Sequence, residues 1–194
     1  MPHSPTVVKV GGSLLDLPEL PVRLNALMKI LPSSILLIVG GGGFADEVRR
    51  LDRIHDWPES LSHRVAMRSM SVGATLLSRG LSLPLASSWE QAQHMFNESR
   101  AVVVDIFEWE NVDELPASWD LTSDSIAAWL TEQCKGERLV LAKSVDLPDP
   151  VKTLDELSSQ GFLDPCFPSF SSSIPEIDWV NLRSASSLKL KKLK

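Results

Sequence analysis

The strongest constraint in this chain is a run of four glycines between a buried strand and a helix. Ile35-Leu36-Leu37-Ile38-Val39 is followed by Gly40-Gly41-Gly42-Gly43, then by Phe44-Ala45-Asp46-Glu47-Val48. An unbroken apolar run of this length reads as a strand buried on both faces. Beyond the glycines the pattern turns helical: Phe44, Val48, Leu51 and His55 share a face, while Asp46, Glu47, Arg49 and Arg50 fall elsewhere. The junction therefore offers unpaired N–H groups, a partial positive charge and no side chains to block an approach. It suits a phosphate or another anion. The alternative is a tight turn that only needs positive φ, which one or two glycines would satisfy.

A second junction of the same kind opens the chain. Thr6-Val7-Val8-Lys9-Val10 reads as a strand that runs into Gly11-Gly12-Ser13. A lysine inside an apolar strand is costly unless its ammonium emerges at the strand end or meets an anion. The other reading of Lys9 is a solvated residue on an edge strand.

The remaining elements alternate. A helix is expected over Leu14 to Leu31, with Leu20, Leu24, Leu27, Met28 and Leu31 inward, broken by Pro32-Ser33-Ser34. A second spans Leu61 to Arg79 and ends at Gly80, with Leu61, Val65, Met70, Gly73, Leu76 and Leu77 inward. Its polar residues include His63, Arg64 and Arg68; the two arginines read as an anion site or, more simply, a solvated face. Leu81 to Ala86 is a short strand, Ser88 caps a helix to Phe96, and Ala101 to Phe107 is a strand. Trp119-Asp120-Leu121-Thr122-Ser123-Asp124-Ser125 starts a helix with Thr122 or Ser123 as cap and Ile126, Ala127, Leu130 and Cys134 inward. Asp124, in its first turn, either favours the helix dipole or serves a site. Arg138 to Ala142 is a strand, with Lys143-Ser144-Val145-Asp146 at its end. A short helical piece at Leu154 to Leu157, an irregular stretch from Phe162 to Ile174 and a strand over Ile177 to Leu182 follow. Residues 183–194, with four lysines, read as a flexible basic tail. The pattern implies one α/β domain over residues 1–194: a three-layer αβα sandwich with a mainly parallel central sheet. Ligands of such sheets bind at the strand C-terminal ends, where Lys9 to Ser13, Gly40 to Gly43 and Lys143 to Asp146 all fall.

Composition removes several function classes. The chain has 194 residues, 43% of them hydrophobic, and a formal net charge of -6. That charge argues against a general nucleic-acid binder. No apolar run approaches the roughly 20 residues a membrane span needs. Cys134 and Cys166 are far apart and read as reduced thiols; with no signal peptide evident, the expected location is cytoplasmic. Gly40-x-Gly42-x-x-Ala45 superficially fits a dinucleotide fingerprint, but the acid expected about 20 residues on would fall at the start of a helix. No Gly-Lys-Ser or Gly-Lys-Thr P-loop, His-x-x-x-His pair or Cys-x-x-Cys occurs, so no protein-built metal site is expected. Phosphoryl transfer remains possible without these motifs. It needs backbone donors, cations and alignment.

These residues resemble the amino-acid kinase superfamily, which includes acetylglutamate, aspartate, uridylate and isopentenyl phosphate kinases. Lys9-Val10-Gly11-Gly12-Ser13 looks like its opening motif, Gly40 to Gly43 like its second glycine loop, and Thr122-Ser123-Asp124-Ser125-Ile126-Ala127-Ala128 like the helix start with its organising aspartate. A closer resemblance, to the aminomethylfuranmethanol phosphate kinase branch of methanofuran-type cofactor synthesis, rests on Gly41-Gly42-Gly43-Phe44-Ala45-Asp46-x-Val48-Arg49, Leu61-Ser62-His63-Arg64-x-Ala66-Met67 and Thr122 to Leu130. The resemblance implies transfer of the γ-phosphoryl of ATP, with Mg2+, onto a phosphate monoester in one-carbon cofactor metabolism. By the same resemblance, Lys9 bridges the transferred group, Asp124 orients the lysines and Lys143 is the second cation. Gly11, Gly12, Ser13, Gly41, Gly42 and Gly43 hold phosphate or substrate. Ser144 and Asp146 border the nucleotide, in a loop lacking the family's usual glycine and aromatic. A homodimer or larger homo-oligomer is expected. A non-catalytic member that binds an anionic small molecule or a partner protein stays open as the alternative.

Overall fold

The computed structural model describes residues 4–32, 34–150, 153–185 and 188–194. Residues 1–3, Ser33 of the expected helix break and residues 186–187 of the tail lie outside the described residues. The apolar run before the four glycines forms β2 (Ile35–Val39), every residue of which is buried. It lies inside a seven-stranded sheet with β1 (Thr6–Val10), β3 (Leu85–Ala86), β4 (Ala101–Val104), β5 (Arg138–Lys143), β6 (Glu176–Asn181) and β7 (Lys191–Lys192). The order is β3-β4-β2-β1-β5-β6-β7, parallel except for the antiparallel β6–β7 pair. The helices are α1 (Leu20–Ile30), α2 (Gly42–His55), α3 (Glu59–Leu81), α4 (Trp89–Met95), α5 (Ser123–Gln133), α6 (Leu154–Ser159) and α7 (Phe167–Phe170).

Alternation along the strands divides the core into two layers. Val7, Leu36, Ile38, Leu139, Leu141 and Trp179 pack on the α5 side. Val8, Val10, Leu37, Val39, Val140 and Ala142 pack on the α1 side. This is the expected sandwich, with helices covering both faces of a largely parallel sheet. The chain leaves β1 towards β2 on one side and later returns to β5 on the other. The divergence opens a crevice at the strand C-terminal ends.

Several local expectations are corrected. The helix expected from Leu14 begins at Leu20, after a single 3-10 turn at Gly12–Leu14. Pro18 disfavours helical backbone at the residue before it, whereas Pro21 fits the first turn. The strand from Ala101 stops at Val104, and Ile106–Glu108 is a 3-10 turn. Its partner β3 ends at Ala86, which removes the neighbour needed to continue the ladder. In α3, Met70, Gly73 and Leu77 are buried as expected, but Leu61, Val65 and Leu76 are exposed. Ser62, Ser69 and Ala74 are buried instead, because small residues let the helix approach the sheet closely. A Cβ on Gly73 would lie 3.2 Å from Val39 Cγ1 and 3.5 Å from the Gly40 carbonyl. In α2, Val48 is buried while Phe44 and His55 are exposed. The stretch from Phe162 to Ile174 holds the helical turn α7 with a fully buried Phe167. In the tail, residues 191–192 pair with β6, and Leu188 and Leu190 pack on the α1-side core.

Candidate active site

Lys9 lies in a central strand, which rules out the solvated edge-strand reading. It pairs in register with Leu141 of β5. Lys143, two residues further along β5, therefore projects from the same sheet face. That face is covered by α5, whose first turn carries Asp124. Lys9 Nζ lies 2.7 Å from Asp124 Oδ1, and Lys143 Nζ donates to Asp124 Oδ2 at 2.6 Å. One buried carboxylate thus holds two ammonium groups, each on its own oxygen. Asp124 does more than complement a helix dipole. Burial alone would push its carboxyl up; Lys9 and Lys143 override that and hold it down at about 2. Burial, then the charge of Lys9, pushes the Lys143 ammonium down to about 8 against the pull of Asp124. Lys143 also donates to the Phe162 carbonyl at 3.0 Å and sits 5.3 Å from the centre of the Trp179 ring.

The two glycine junctions touch each other. Gly42 has φ +54, and a Cβ there would lie 2.5 Å from the Gly12 carbonyl. A Cβ on Gly12 would overlap the Gly42 backbone. A Cβ on Gly40 would lie 2.7 Å from Ser123 Oγ, beside Asp124. Close packing of backbones therefore requires the glycines, and it also leaves backbone donors exposed. The first intrahelical bond of α2 runs from Ala45 N–H to the Gly41 carbonyl. The N–H groups of Gly42, Gly43 and Phe44 precede it and have no partner within the helix. Gly11 departs from its expected donor role: its N–H donates to the Ala142 carbonyl at 2.8 Å, extending the β1–β5 ladder.

A cavity of about 250 Å3 opens beside these groups. Gly12, Ser13 and Gly40 to Gly42 form its floor; Met67, Met70 and Ile126 form apolar wall; Arg49, His63 and Trp119 stand around it. The Arg49 guanidinium lies 4.8 Å from the centre of the Trp119 ring and donates to Asp46 at 2.9 Å. Trp119 is held by its indole N–H, which donates to Asp52 at 2.9 Å. His63 Nδ1 is 3.2 Å from the Ser118 carbonyl, and burial pushes its imidazolium down. The arginines of α3 point to other partners. Arg64 pairs with Asp113 and Arg68 with Glu108, and both guanidiniums lie over Phe107.

Ser144 and Asp146 lie at the end of β5. Ser13 Oγ donates to Ser144 Oγ at 3.0 Å, tying the first glycine loop to this second loop. Asp146 is exposed. Arg183, just past β6, donates to the Ser13 carbonyl at 2.7 Å and also bonds Asp16. Sequence reasoning missed Arg49, His63, Trp119, Asp164 and Arg183 as residues of this region. Arg49 had a readable signal, since Gly42, Ala45, Asp46 and Arg49 follow the i, i+3, i+4, i+7 spacing of one helix face. Asp164 and Arg183 had none, because each reaches the site from a distant segment.

The sequence model of the amino acid kinase family matches residues 4–164. A curated relative, (5-(aminomethyl)furan-3-yl)methyl phosphate kinase of Methanocaldococcus jannaschii, is 28% identical over 142 residues, which are 72% of this chain. The matched stretch is 66% of that relative, just short of two thirds of its length. The uridylate kinase structure from Archaeoglobus fulgidus superposes with a TM-score of 0.62 at 19% identity, covering 89% of this chain and 88% of that one. The UMP kinase structure from Bacillus anthracis gives 0.67 at 11% identity, covering 96% and 90%. At these identities the two structures show a shared fold.

Proposed function

The chain belongs to the amino acid kinase family, and from that premise we propose that it transfers the γ-phosphoryl group of ATP onto a small phosphate monoester. The acceptor we favour is aminomethylfuranmethanol phosphate, in one-carbon cofactor synthesis. The observation that carries the reading is Asp124 held between Lys9 and Lys143 at 2.7 and 2.6 Å, next to two touching glycine loops.

In this reading an oxygen of the acceptor phosphate attacks the γ-phosphorus, and the bond from γ-phosphorus to the β–γ bridging oxygen breaks. A diphosphate and ADP result. A phosphate monoester has its second pKa near 6 and is already largely dianionic at pH 7. It therefore needs no general base. Asp124 is unsuited to that task anyway, because its carboxylate is engaged by two cations and held at about 2. The chemistry left to the protein is alignment and charge neutralisation. Lys9 and Lys143 supply the cations, and the N–H groups of Gly12, Gly41, Gly42 and Gly43 supply directed donors. Ser13 orders the loop through Ser144. The nucleotide lies on the side of Lys143, Ser144 and Asp146, and the acceptor in the cavity below Arg49 and Trp119. Met67, Met70 and Ile126 give that cavity an apolar wall suited to a small ring. Among the described residues no group of three or more His, Cys, Asp or Glu side chains is placed to hold a metal, and both oxygens of Asp124 are occupied by ammonium groups. Mg2+ fits here as an ion carried on ATP phosphates, where it neutralises their charge.

A homodimer or larger homo-oligomer belongs to the same reading. Leu61, Val65, Val72 and Leu76 are exposed and share one side of α3, an apolar stripe that a second copy would cover; sedimentation velocity tests this. Among the described residues no helix is long and apolar enough to cross a membrane.

The test is a coupled ADP-release assay with Mg-ATP and a panel of phosphate monoesters, aminomethylfuranmethanol phosphate first. Turnover is expected with at least one acceptor and is lost in Lys9→Ala and Asp124→Asn, while far-UV circular dichroism is retained. Near-parent rates in both variants overturn the reading. Absence of turnover with every acceptor leaves the non-catalytic binder of an anionic molecule or partner protein.

A further inference from the structure

Asp164 lies in the loop after α6, outside every motif that marked the site, and it is buried. Its Oδ2 accepts from the Thr122 N–H at 3.1 Å, from Thr122 Oγ1 at 2.8 Å and from the Ser125 N–H at 3.0 Å. Its Oδ1 accepts from Ser125 Oγ. Thr122 is the N-cap of α5, yet its own side chain makes no capping bond. The cap comes instead from a carboxylate some forty residues downstream. Asp124 stands between Thr122 and Ser125, so this cap fixes the turn that aims the Asp124 carboxylate.

The same segment reaches the other partner. The Phe162 carbonyl, two residues earlier, accepts from Lys143 Nζ at 3.0 Å. Phe162 is itself packed edge-on against Trp179, with ring centres 6.4 Å apart. The Asp164 carbonyl accepts from Ser158 Oγ and from the Phe167 N–H, both at 3.1 Å, which fixes the segment against α6 and α7. One short stretch of backbone therefore touches both sides of the Asp124–Lys143 pair from outside the sheet.

We propose that Asp164 is a positioning residue for phosphoryl transfer: by capping α5 it sets the aim of Asp124 and, through Asp124, the placement of Lys9 and Lys143. The inference rests on the kinase reading. Charge enters as well as geometry. The charged groups that act on Lys143 are Asp124 from α5, Lys9 from β1 and Asp164 from the loop after α6. Asp164 favours the charged lysine, so removing its charge releases the Lys143 proton more readily. On its other side Asp164 acts on the Cys166 thiol, which burial, then Asp164 and Asp120, push up.

The experiment uses the full chain and the Asp164→Asn variant, with Mg-ATP and aminomethylfuranmethanol phosphate. A misplacement of about 1 Å at a reacting centre can cost on the order of 100-fold in rate. We expect kcat to fall by about that factor, with KM within about 3-fold of the parent. The alkaline limb of the kcat profile moves to lower pH. Asp164→Glu, which keeps the charge, returns that limb towards its parent position. If Asp164→Asn does not fold, Ser125→Ala removes the donor to Oδ1 while keeping the carboxylate, and it is expected to lower kcat about 10-fold with KM unchanged. A folded variant with parent kcat and an unmoved pH profile overturns the proposal, as does a change confined to KM. Titration of the Lys143 ammonium by side-chain NMR separates this from the kinase reading. If the parent protein turns over no acceptor, the kinase reading fails, and the Lys143 titration in Asp164→Asn still decides whether Asp164 acts on the pair.

Discussion

Two ammonium groups on one carboxylate give this site its pH dependence. Lys143 is the group whose charge is least secure, because burial and Lys9 push it down to about 8. It is a cation below that value and loses its charge as the pH rises through it. Turnover is therefore expected to fall above pH 8, and Lys143→Arg, which cannot deprotonate there, is expected to flatten that limb in a pH–rate profile. Asp124 acts on stability with the opposite sign. Its folded value of about 2 lies below the ordinary 3.8, so its contribution is complete above that ordinary value and is lost as the pH falls towards 2. Acid unfolding followed by circular dichroism should show Asp124→Asn flatter than the parent over that window. Arg49 belongs to the acceptor side in this reading. Arg49→Ala should raise KM for the acceptor by about 10-fold or more while changing kcat less, since one charge-assisted bond contributes about 1.5–3 kcal/mol.

At the scale of elements, the glycine junction separates residues that look equivalent in sequence. Gly42 has φ +54 and presses on the Gly12 carbonyl, whereas a Cβ on Gly43 meets nothing within 4 Å. Gly42→Ala is expected to cost about 2 kcal/mol or more in urea unfolding and to abolish turnover. Gly43→Ala keeps its N–H and sits inside a helix, so it should raise stability by about 0.5–1 kcal/mol with activity retained. The helix α5 shows the same separation of pattern from partner. Its apolar stripe through Ile126, Ala127, Leu130 and Cys134 is buried as the sequence implied. Its cap is not the local Thr122 or Ser123 side chain but Asp164. A local cap is written in neighbouring residues; a distant one depends on how two segments meet.

Over the whole molecule, the sheet is closed at one edge by the basic tail. Residues 191–192 pair with Asp178 and Trp179 of β6, while Leu188, Leu190 and Leu193 are partly buried against the two cores. Deleting residues 188–194 uncovers that edge and those side chains. At roughly 25 cal/mol per Å2 of apolar surface, the loss is about 2–3 kcal/mol. For a chain of this size that lowers Tm by about 5–10 °C, which differential scanning calorimetry would measure. Arg183, immediately upstream, fastens the same end of the chain to Ser13.

The sequence alone determined the buried strands of the sheet and the glycine junctions at their ends. Apolar strands ending in glycine need few neighbours to be recognised, and Lys9 and the glycine junctions stood out in their own local context, whereas Asp124 and Lys143 were singled out by the resemblance of their motifs. The tertiary structure decided what those residues meet. Parallel register placed Lys9 and Lys143 on one face, and the packing of α5 across β1 and β5 brought Asp124 over both. The phase of α3 was misread because contact with the glycine backbone selects small residues over large apolar ones. Arg49, Asp164 and Arg183 acquire their roles through contacts with segments distant in sequence. A local pattern records what a residue can do, but pairing energies fall off within a few ångströms, and only the fold fixes which residues come that close.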